Sequence, residues 1–226
     1  VFSLSRDCYT VANSIFRSRK TLEHTDFLAP ARHATTADKL ILVTGATGFL
    51  GRHLTRTLRE QGVAVRALGR NLRIGLELAT MGADFCPVDL RDRDAVIRAC
   101  EGVTGVIHAG ALSSAWGKRK DFFDINVAGT ENVIAGCLAH GVQRLVYISS
   151  PSVMSRHAVQ LDLNETDPTA TQPVSLYSET KIVAEGKVNQ AADRLETVVL
   201  RPKAIYGPGD QALFPRIVAN LSSGRM

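Results

Sequence analysis

In the stretch YSETK, residues 177–181, a phenol and an ammonium stand four residues apart. On an α-helix that spacing puts Tyr177 and Lys181 on one face, about one turn from each other. The chemistry open to such a pair is proton transfer. A free tyrosine titrates near 10, so at neutral pH its phenolate is scarce by roughly three units, or ~4 kcal/mol. A cation one turn away stabilises the phenolate and brings the group toward use as a donor or acceptor. The plainer reading is a surface helix with an incidental tyrosine and a solvated lysine, and five residues alone do not separate the two.

A second stretch, TGATGFLG, carries Gly45, Gly48 and Gly51 between an apolar run and a helical pattern. The spacing is GxxGxxG rather than GxGxxG, but the physics is shared. Gly45 permits a tight turn, Gly48 lets the backbone approach a pyrophosphate, and Gly51 lets helix and strand pack closely. The amides of Phe49 and Leu50 then sit at a helix N-terminus, which favours an anion. With Thr47 in the same turn, these residues are the candidate floor of a dinucleotide site; the alternative is a tight turn that serves packing alone. The next strand ends RALGRN, where an acid would accept from the ribose 2′-hydroxyl of NAD. Gly69 stands there instead, followed by Arg70, which can pair with a 2′-phosphate. NADP(H) is therefore expected before NAD(H), which remains the alternative; an arginine merely exposed at a strand end is the plainer account. Asp89 in PVDL is placed to accept from an adenine amino group, with the Leu90 backbone beside it. In VIHAG, His108 reads as a packed or backbone-bonded histidine lining the cleft, and Ala109 and Gly110 as cofactor contacts.

The elements that must position these groups follow from hydrophobic period. KLILVTGA is a strand, and FLGRHLTRTLREQG is a helix with Leu50, Leu54 and Leu58 at four-residue steps, closed by Gly62. VAVRALGR, DFCPVDLRD, GVTGVIHAG, VQRLVYISS and ETVVLRP supply five more strands. DAVIRACEG is a helix capped by Asp92 or Asp94. FDINVAGTENVIAGCLAHG is another, with Val127, Val133, Ile134, Cys137 and Leu138 on or near one face, and YSETKIVAEGKVNQAA is a third. Nearly all-apolar strands alternating with helices predict a doubly wound α/β fold whose parallel sheet is covered on both faces, with ligands at the carboxyl ends of its strands. Residues 1–38 show no sustained periodicity and stay unassigned, as a leading segment or linker. Residues 39–205 form the nucleotide-binding domain and 206–226 begin a substrate lobe. The chain opens on Val1 and stops at NLSSGRM as a new helix gets under way, which reads as a piece of a longer reading frame.

Bulk composition excludes several classes. Of 226 residues, 45% are hydrophobic and 22% charged, and no apolar run approaches the roughly 18 residues of a membrane span. The net charge of +5 is spread along the chain without aromatic interleaving, which argues against nucleic acid. Cys8, Cys86, Cys100 and Cys137 are scattered, as expected of reduced thiols in a cytoplasmic protein rather than a disulfide frame or a metal site.

Taken in order, TGATGFLG, VDL, HAG, NVAGTENV, VYISSPSV, YSETK and LRPKAIYGPGD resemble the extended short-chain dehydrogenases/reductases, from Lys39 to the C-terminus. SSAWGKRKDFFDINVAGT together with SSPSV is most similar to the 3β-hydroxysteroid dehydrogenase-like branch. The resemblance implies a Rossmann-like fold and an active site of Ser150, Tyr177 and Lys181, supported by Asn126. The family's reactive hydroxyl precedes by three residues the Val of a VYG ending; here that Val is Val153, which selects Ser150. Met154 and Ser155 replace the Tyr and Gly, so Ser149 and Ser152 stay open as alternatives. In the implied roles Tyr177 moves the proton, while Lys181 tunes it and bonds the nicotinamide ribose. Ser150 polarises the substrate oxygen, Asn126 holds a relay water behind Lys181, and Pro202 borders the nicotinamide. The Gly207–Pro208–Gly209 turn starts the substrate lobe, and Tyr206 and Phe214 are core residues before they are substrate contacts. The implied function is an NADP(H)-preferring oxidoreductase interconverting a bulky secondary alcohol and ketone, of 3β-hydroxysteroid or 3-oxo type. Its partner is a small-molecule substrate, and pairing into a homodimer through the helices that hold Asn126 and Tyr177 is open. One rival is a nucleotide-sugar epimerase or dehydratase with bound NAD. Gly69–Arg70 argues against that reading, as do Pro151 and Ser152 where dehydratases carry acids. The other rival is a non-catalytic NADP sensor, against which the presence of both Tyr177 and Lys181 argues.

Overall fold

Branched apolar residues make the strands, and their two-residue period divides the core. Along β1 (Leu40–Thr44) the Leu42 side chain joins one buried cluster, with Leu68, Val106, Leu145 and Tyr147. Its neighbours Ile41 and Val43 join a second cluster with Val65, Ala67, Ile107 and Val146 on the opposite face. Both faces are therefore covered. The computed structural model describes residues 39–114, 116–156, 160, 162–210 and 213–223; the unassigned segment 1–38, and Cys8 with it, lies outside the described residues.

Five further strands follow: β2 (Ala64–Gly69), β3 (Asp84–Pro87), β4 (Gly105–His108), β5 (Arg144–Ile148) and β6 (Glu196–Leu200). All pairings are parallel and the order is β3-β2-β1-β4-β5-β6. This is the doubly wound arrangement, with its reversal point between β1 and β4. The helices are α1 (Phe49–Glu60), α2 (Leu72–Thr80), α3 (Arg93–Ala99), α4 (Arg119–Phe122), α5 (Gly129–Ala139), α6 (Leu176–Gln190) and α7 (Phe214–Ser222). Asp92, rather than Asp94, caps α3, its carboxylate accepting from the Ala95 amide at 3.0 Å. The helix expected over FDINVAGTENVIAGCLAHG is continuous but not uniform: a π-helical segment, Phe123–Ala128, joins α4 to α5.

Helix α2 is not anticipated from hydrophobic period. Leu72 and Leu76 are 61% and 64% exposed, and Gly75 sits at its centre because the Phe85 ring occupies the space a Cβ would need, at 2.1 Å. The expectation that Phe214 belongs to the core also fails: it opens α7 and is 57% exposed. Tyr206 is half-buried. The turn at Gly207–Gly209 is tied back to α1 by a hydrogen bond between His53 Nε2 and the Pro208 carbonyl at 2.8 Å. Cys86, Cys100 and Cys137 are free thiols. Among the described residues no helix is long and apolar enough to cross a membrane.

The first β-turn-α unit depends on close backbone packing. A Cβ on Gly51 would fall 2.2 Å from the Gly45 carbonyl oxygen and 2.8 Å from Ala46 Cα, both immobile backbone. Gly51→Ala should therefore push α1 off the turn and destabilise the protein by about 1–3 kcal/mol, read as a lowered midpoint in thermal or urea unfolding.

Candidate active site

The glycine turn comes first. Gly45 adopts φ +66°, the left-handed region, and a Cβ there would lie 2.6 Å from Gly110 Cα. The turns after β1 and β4 thus touch through glycine alone. Gly48 precedes α1 without a capping side chain, and a Cβ on it would meet only the Gly45 oxygen, at 3.2 Å. Beside the turn lies a cleft of about 300 Å³ lined by Gly45, Thr47, Gly48, Gly69, Arg70, Asp89, Leu90, Ala109 and Gly110, as expected, and by Asn71 and Ile125, which were not. Phe49, Leu50, Gly51, Tyr177, Lys181 and Pro202 are not in its lining.

A steric fact explains the missing acid after β2. A Cβ on Gly69 would meet the Thr47 hydroxyl at 2.5 Å and its methyl at 2.7 Å, so Thr47 fills the place of any side chain there. Arg70, 62% exposed, stands 3.5 Å from the Asp89 carboxylate. Asp89 lies in the turn beyond β3 and accepts from the Arg91 amide at 3.0 Å and from its guanidinium at 3.0 and 2.8 Å. The Arg91 hydrogen bonds hold its carboxyl down at about 2.

Helix α6 carries the tyrosine and the lysine. It begins where it does because Ser175 and Ser178 cap one another: each hydroxyl accepts from the other's amide at 3.1 Å. Tyr177 falls in the first turn, half-buried, with Lys181 one turn further and 2% exposed. The phenol is pushed up by burial and held back by hydrogen bonding to the Ser150 and Ser113 side chains. Ser150 caps the short 3₁₀ turn Pro151–Val153, its hydroxyl accepting from the Ser152 amide at 3.2 Å. Of the two alternatives, Ser149 donates to Glu185 at 2.5 Å, and Ser152 Oγ is buried without a partner. Ser150 is thus the hydroxyl of SSPS that meets the phenol. Lys181 Nζ donates to the Ile148 carbonyl at 2.6 Å and lies 4.0 Å from the centre of the Tyr147 ring. Burial brings its ammonium down to about 7, with Glu185 acting against that. The phenol is thus raised, not lowered as the lysine's charge led us to expect, because desolvation dominates both groups.

Asn126 is buried in the π segment, and its side chain is a clamp. Oδ1 accepts from the Leu112 amide at 2.6 Å, while Nδ2 donates to the Leu112 carbonyl at 3.2 Å and to Thr180 Oγ1 at 3.0 Å. It joins the loop carrying Ser113 to the helix carrying Tyr177. Arg119 adds an exposed fork to Glu179, both contacts 2.6 Å, which solvent screens. Ser113, Thr180, Glu185 and Arg201 were all missed in reading the sequence. Only Glu185 had a signal, since it extends the four-residue step from Tyr177 through Lys181.

His108 is 1% exposed and bonded to hydroxyls, not to backbone as one expectation had it. Thr130 Oγ1 donates to the Asn126 carbonyl at 2.6 Å, so it accepts from His108 Nε2 at 3.0 Å. Nδ1 then accepts from Thr44 Oγ1 at 2.6 Å, and Thr44 accepts from the Gly110 amide at 3.1 Å. Among the described residues no cluster of His, Cys, Asp and Glu could hold a metal ion.

With this geometry in view, residues 42–226 match the 3-beta hydroxysteroid dehydrogenase/isomerase family. The chain belongs to that family. A relative from Stenotrophomonas maltophilia, 2-alkyl-3-oxoalkanoate reductase, is 46% identical over 190 residues, covering 82% of this chain and 57% of the relative. The 3 beta-hydroxysteroid dehydrogenase/Delta 5-->4-isomerase of Mycobacterium tuberculosis is 33% identical, covering 85% of this chain and 54% of its own length. The chain thus spans a little over half the length of each of these two relatives. Among solved structures, UDP-glucose 4-epimerase of Thermus thermophilus in complex with NAD aligns with a TM-score of 0.68 at 30% identity, over 76% of this chain and 57% of that one. The family resemblance read from seven motifs and the Rossmann-like fold both stand.

Burial sets one pH dependence in this family member. The His108 imidazole is brought down to about 3 by burial and then by the Lys181 charge. An unfolded histidine binds its proton near 6.5, so between about 6.5 and 3 the unfolded chain holds more protons and stability falls as the pH drops, by up to about 1.4 kcal/mol per unit. Urea unfolding at pH 6.5 and 5 should show a loss of about 2 kcal/mol from this group, and His108→Asn should remove that part of the slope.

Proposed function

We propose that residues 39–205 are the nucleotide-binding domain, and 206–226 the start of the substrate lobe, of an NADP(H)-preferring oxidoreductase. It interconverts a bulky 3-oxo compound and the corresponding secondary alcohol. The observation that carries this reading is the meeting of the Tyr177 phenol with the Ser150 hydroxyl at the end of β5, on a helix whose next turn carries the buried Lys181. The residues present fit a dinucleotide. The Gly45 turn is open at Gly48, the cleft beside it is the right size for an adenosine and its phosphates, and Thr47 against Gly69 leaves no room for the acid that would repel a 2′-phosphate.

In this reading the amides of Phe49 and Leu50, with Gly45, Thr47, Gly48 and Gly51, receive the pyrophosphate. Arg70 pairs with the 2′-phosphate, Asp89 and Leu90 border the adenine, and Ala109, Gly110 and Pro202 line the remaining path. The nicotinamide supplies the hydride when bound. Tyr177 gives its proton to the substrate oxygen, and Ser150 donates a hydrogen bond to the same atom. Lys181 holds the ribose and the charge balance of the phenol, and Asn126 keeps the loop at Leu112 in register with α6. The relatives named as reductases of 3-oxo compounds support this substrate class. The same reading puts the enzyme in the cytoplasm, in keeping with its free thiols, and allows a homodimer. The likeness to an epimerase with bound NAD favours a second reading, a nucleotide-sugar epimerase; the Gly69–Arg70 pair weighs against it.

Two measurements test the proposal. Tyr177→Phe should lower turnover of NADPH with 2-alkyl-3-oxo acids by roughly 10²–10⁴-fold while leaving NADPH affinity within about twofold, read by kinetics and by fluorescence titration; loss of both together argues for a folding role. Arg70→Ala should weaken NADPH binding by roughly tenfold and leave NADH binding unchanged, by calorimetry. Equal weakening of the two cofactors would refute the 2′-phosphate assignment.

A further inference from the structure

Three consecutive residues at the end of β5 are fastened to three residues at four-residue steps on α6. The Ile148 carbonyl accepts from Lys181, the Ser149 hydroxyl donates to Glu185, and the Ser150 hydroxyl meets Tyr177. Glu185 is the least expected of these. It is 2% exposed and is gripped from the far side by Arg201, just beyond β6. Nη2 donates to Oε1 at 2.5 Å and Nε to Oε2 at 3.3 Å, while Nη1 contacts Met154 Sδ at 3.2 Å. The two side chains are 15% and 3% exposed.

A buried ion pair of this kind is weak as a device for stability, because desolvating both ions offsets most of their attraction; apolar packing could join strand and helix as well. Its position says more. Lys181 and Glu185 stand one helical turn apart, both 2% exposed and anchored to the adjacent residues Ile148 and Ser149, and Arg201 pairs with the same carboxylate. Among the described residues, the other titratable groups near Lys181 are Tyr147 on β5, whose ring its ammonium faces, and His108 on β4, neither of them an anion at neutral pH.

We propose that Glu185 is a positioning residue for the proton-transfer site, its carboxylate keeping Lys181 protonated one helical turn from Tyr177, with Ser149 and Arg201 fixing that carboxylate. The inference rests on the oxidoreductase reading for its purpose, but the coupling itself does not depend on turnover. Deleting the anion removes the carboxylate one turn from a buried ammonium, which favours the neutral amine. Retaining the anion while removing one of its hydrogen bonds does not.

The test is direct titration of Lys181 in the full chain, by carbon NMR of Cε-labelled lysines, with its resonance assigned by its loss in Lys181→Met. Lys181 should titrate near 7. In Glu185→Gln, close to isosteric, the midpoint should fall by about one unit or more, a tenfold or greater loss of proton affinity, while Ser149→Ala should move it by less than about 0.3 unit. An unmoved midpoint in a folded Glu185→Gln protein, or equal shifts in both variants, would overturn the proposal. Should Glu185→Gln not fold, Glu185→Asp withdraws the charge without removing it and should lower the midpoint by a smaller step; no movement there would overturn the proposal equally. Failure of the chain to oxidise NADPH, with the midpoints shifting as described, would count against the oxidoreductase reading and leave this one standing.

Discussion

Parallel pairing is the constraint from which the site follows. All six strands run the same way, so their carboxyl ends open on one edge of the sheet. Six of the candidate residues sit one or two positions past a strand end: Gly45 after Thr44, Arg70 after Gly69, Asp89 two beyond Pro87, Ala109 after His108, Ser150 two beyond Ile148, and Pro202 two beyond Leu200. No single loop is long enough to gather them. Burial on both faces fixes the register of every strand, since a one-residue slip would send the apolar set of β1 to the wrong cluster. Register in the core therefore sets distances at the rim, among them the contact of Gly45 with Gly110.

A second ordering runs across the sheet. From the Gly110 amide through Thr44, His108 and Thr130 to the Asn126 carbonyl, each group accepts on one side and donates on the other. The direction is fixed because Thr130 spends its proton on Asn126. The histidine must then be neutral with its proton on Nε2, the state that its complete burial also demands. Chains of aligned hydrogen bonds polarise one another in a low dielectric, and this one spans from the cleft beside the glycine turn to the π segment. The Asn126 side chain carries the connection on to Leu112 and Thr180. The cleft and the tyrosine helix are thereby tied by polar contacts that tolerate little displacement.

Much of this was legible in the residues. The six strands and most of the helices announced themselves by period, and the glycine turn by its place between a strand and a helix. Tyr177 and Lys181 were legible as a pair because helical spacing alone brings them together. Helix α2 was not, since it buries only Gly75 and Leu78 fully and shows Leu72 and Leu76 to solvent. Ser113 and Arg201 escaped for another reason. They reach the site across the sheet, from a loop and from a strand end, and no spacing in the chain encodes such a meeting. The direction of the Tyr177 shift escaped as well, because a sequence shows the neighbouring charge but not the burial that outweighs it.

That burial bears on direction of reaction. Desolvation raises the phenol and lowers the ammonium, driving both groups toward their neutral forms. A tyrosine that holds its proton firmly is a poor base toward an alcohol, yet it remains a far stronger acid than the alcohol that forms when the alkoxide left by hydride transfer takes its proton. Under the proposed reading, then, the chain's own residues are set for giving a proton, which is reduction. Oxidation would need additional positive charge brought close to the phenol, beyond what Lys181 supplies while its ammonium is directed at the Ile148 carbonyl and the Tyr147 ring.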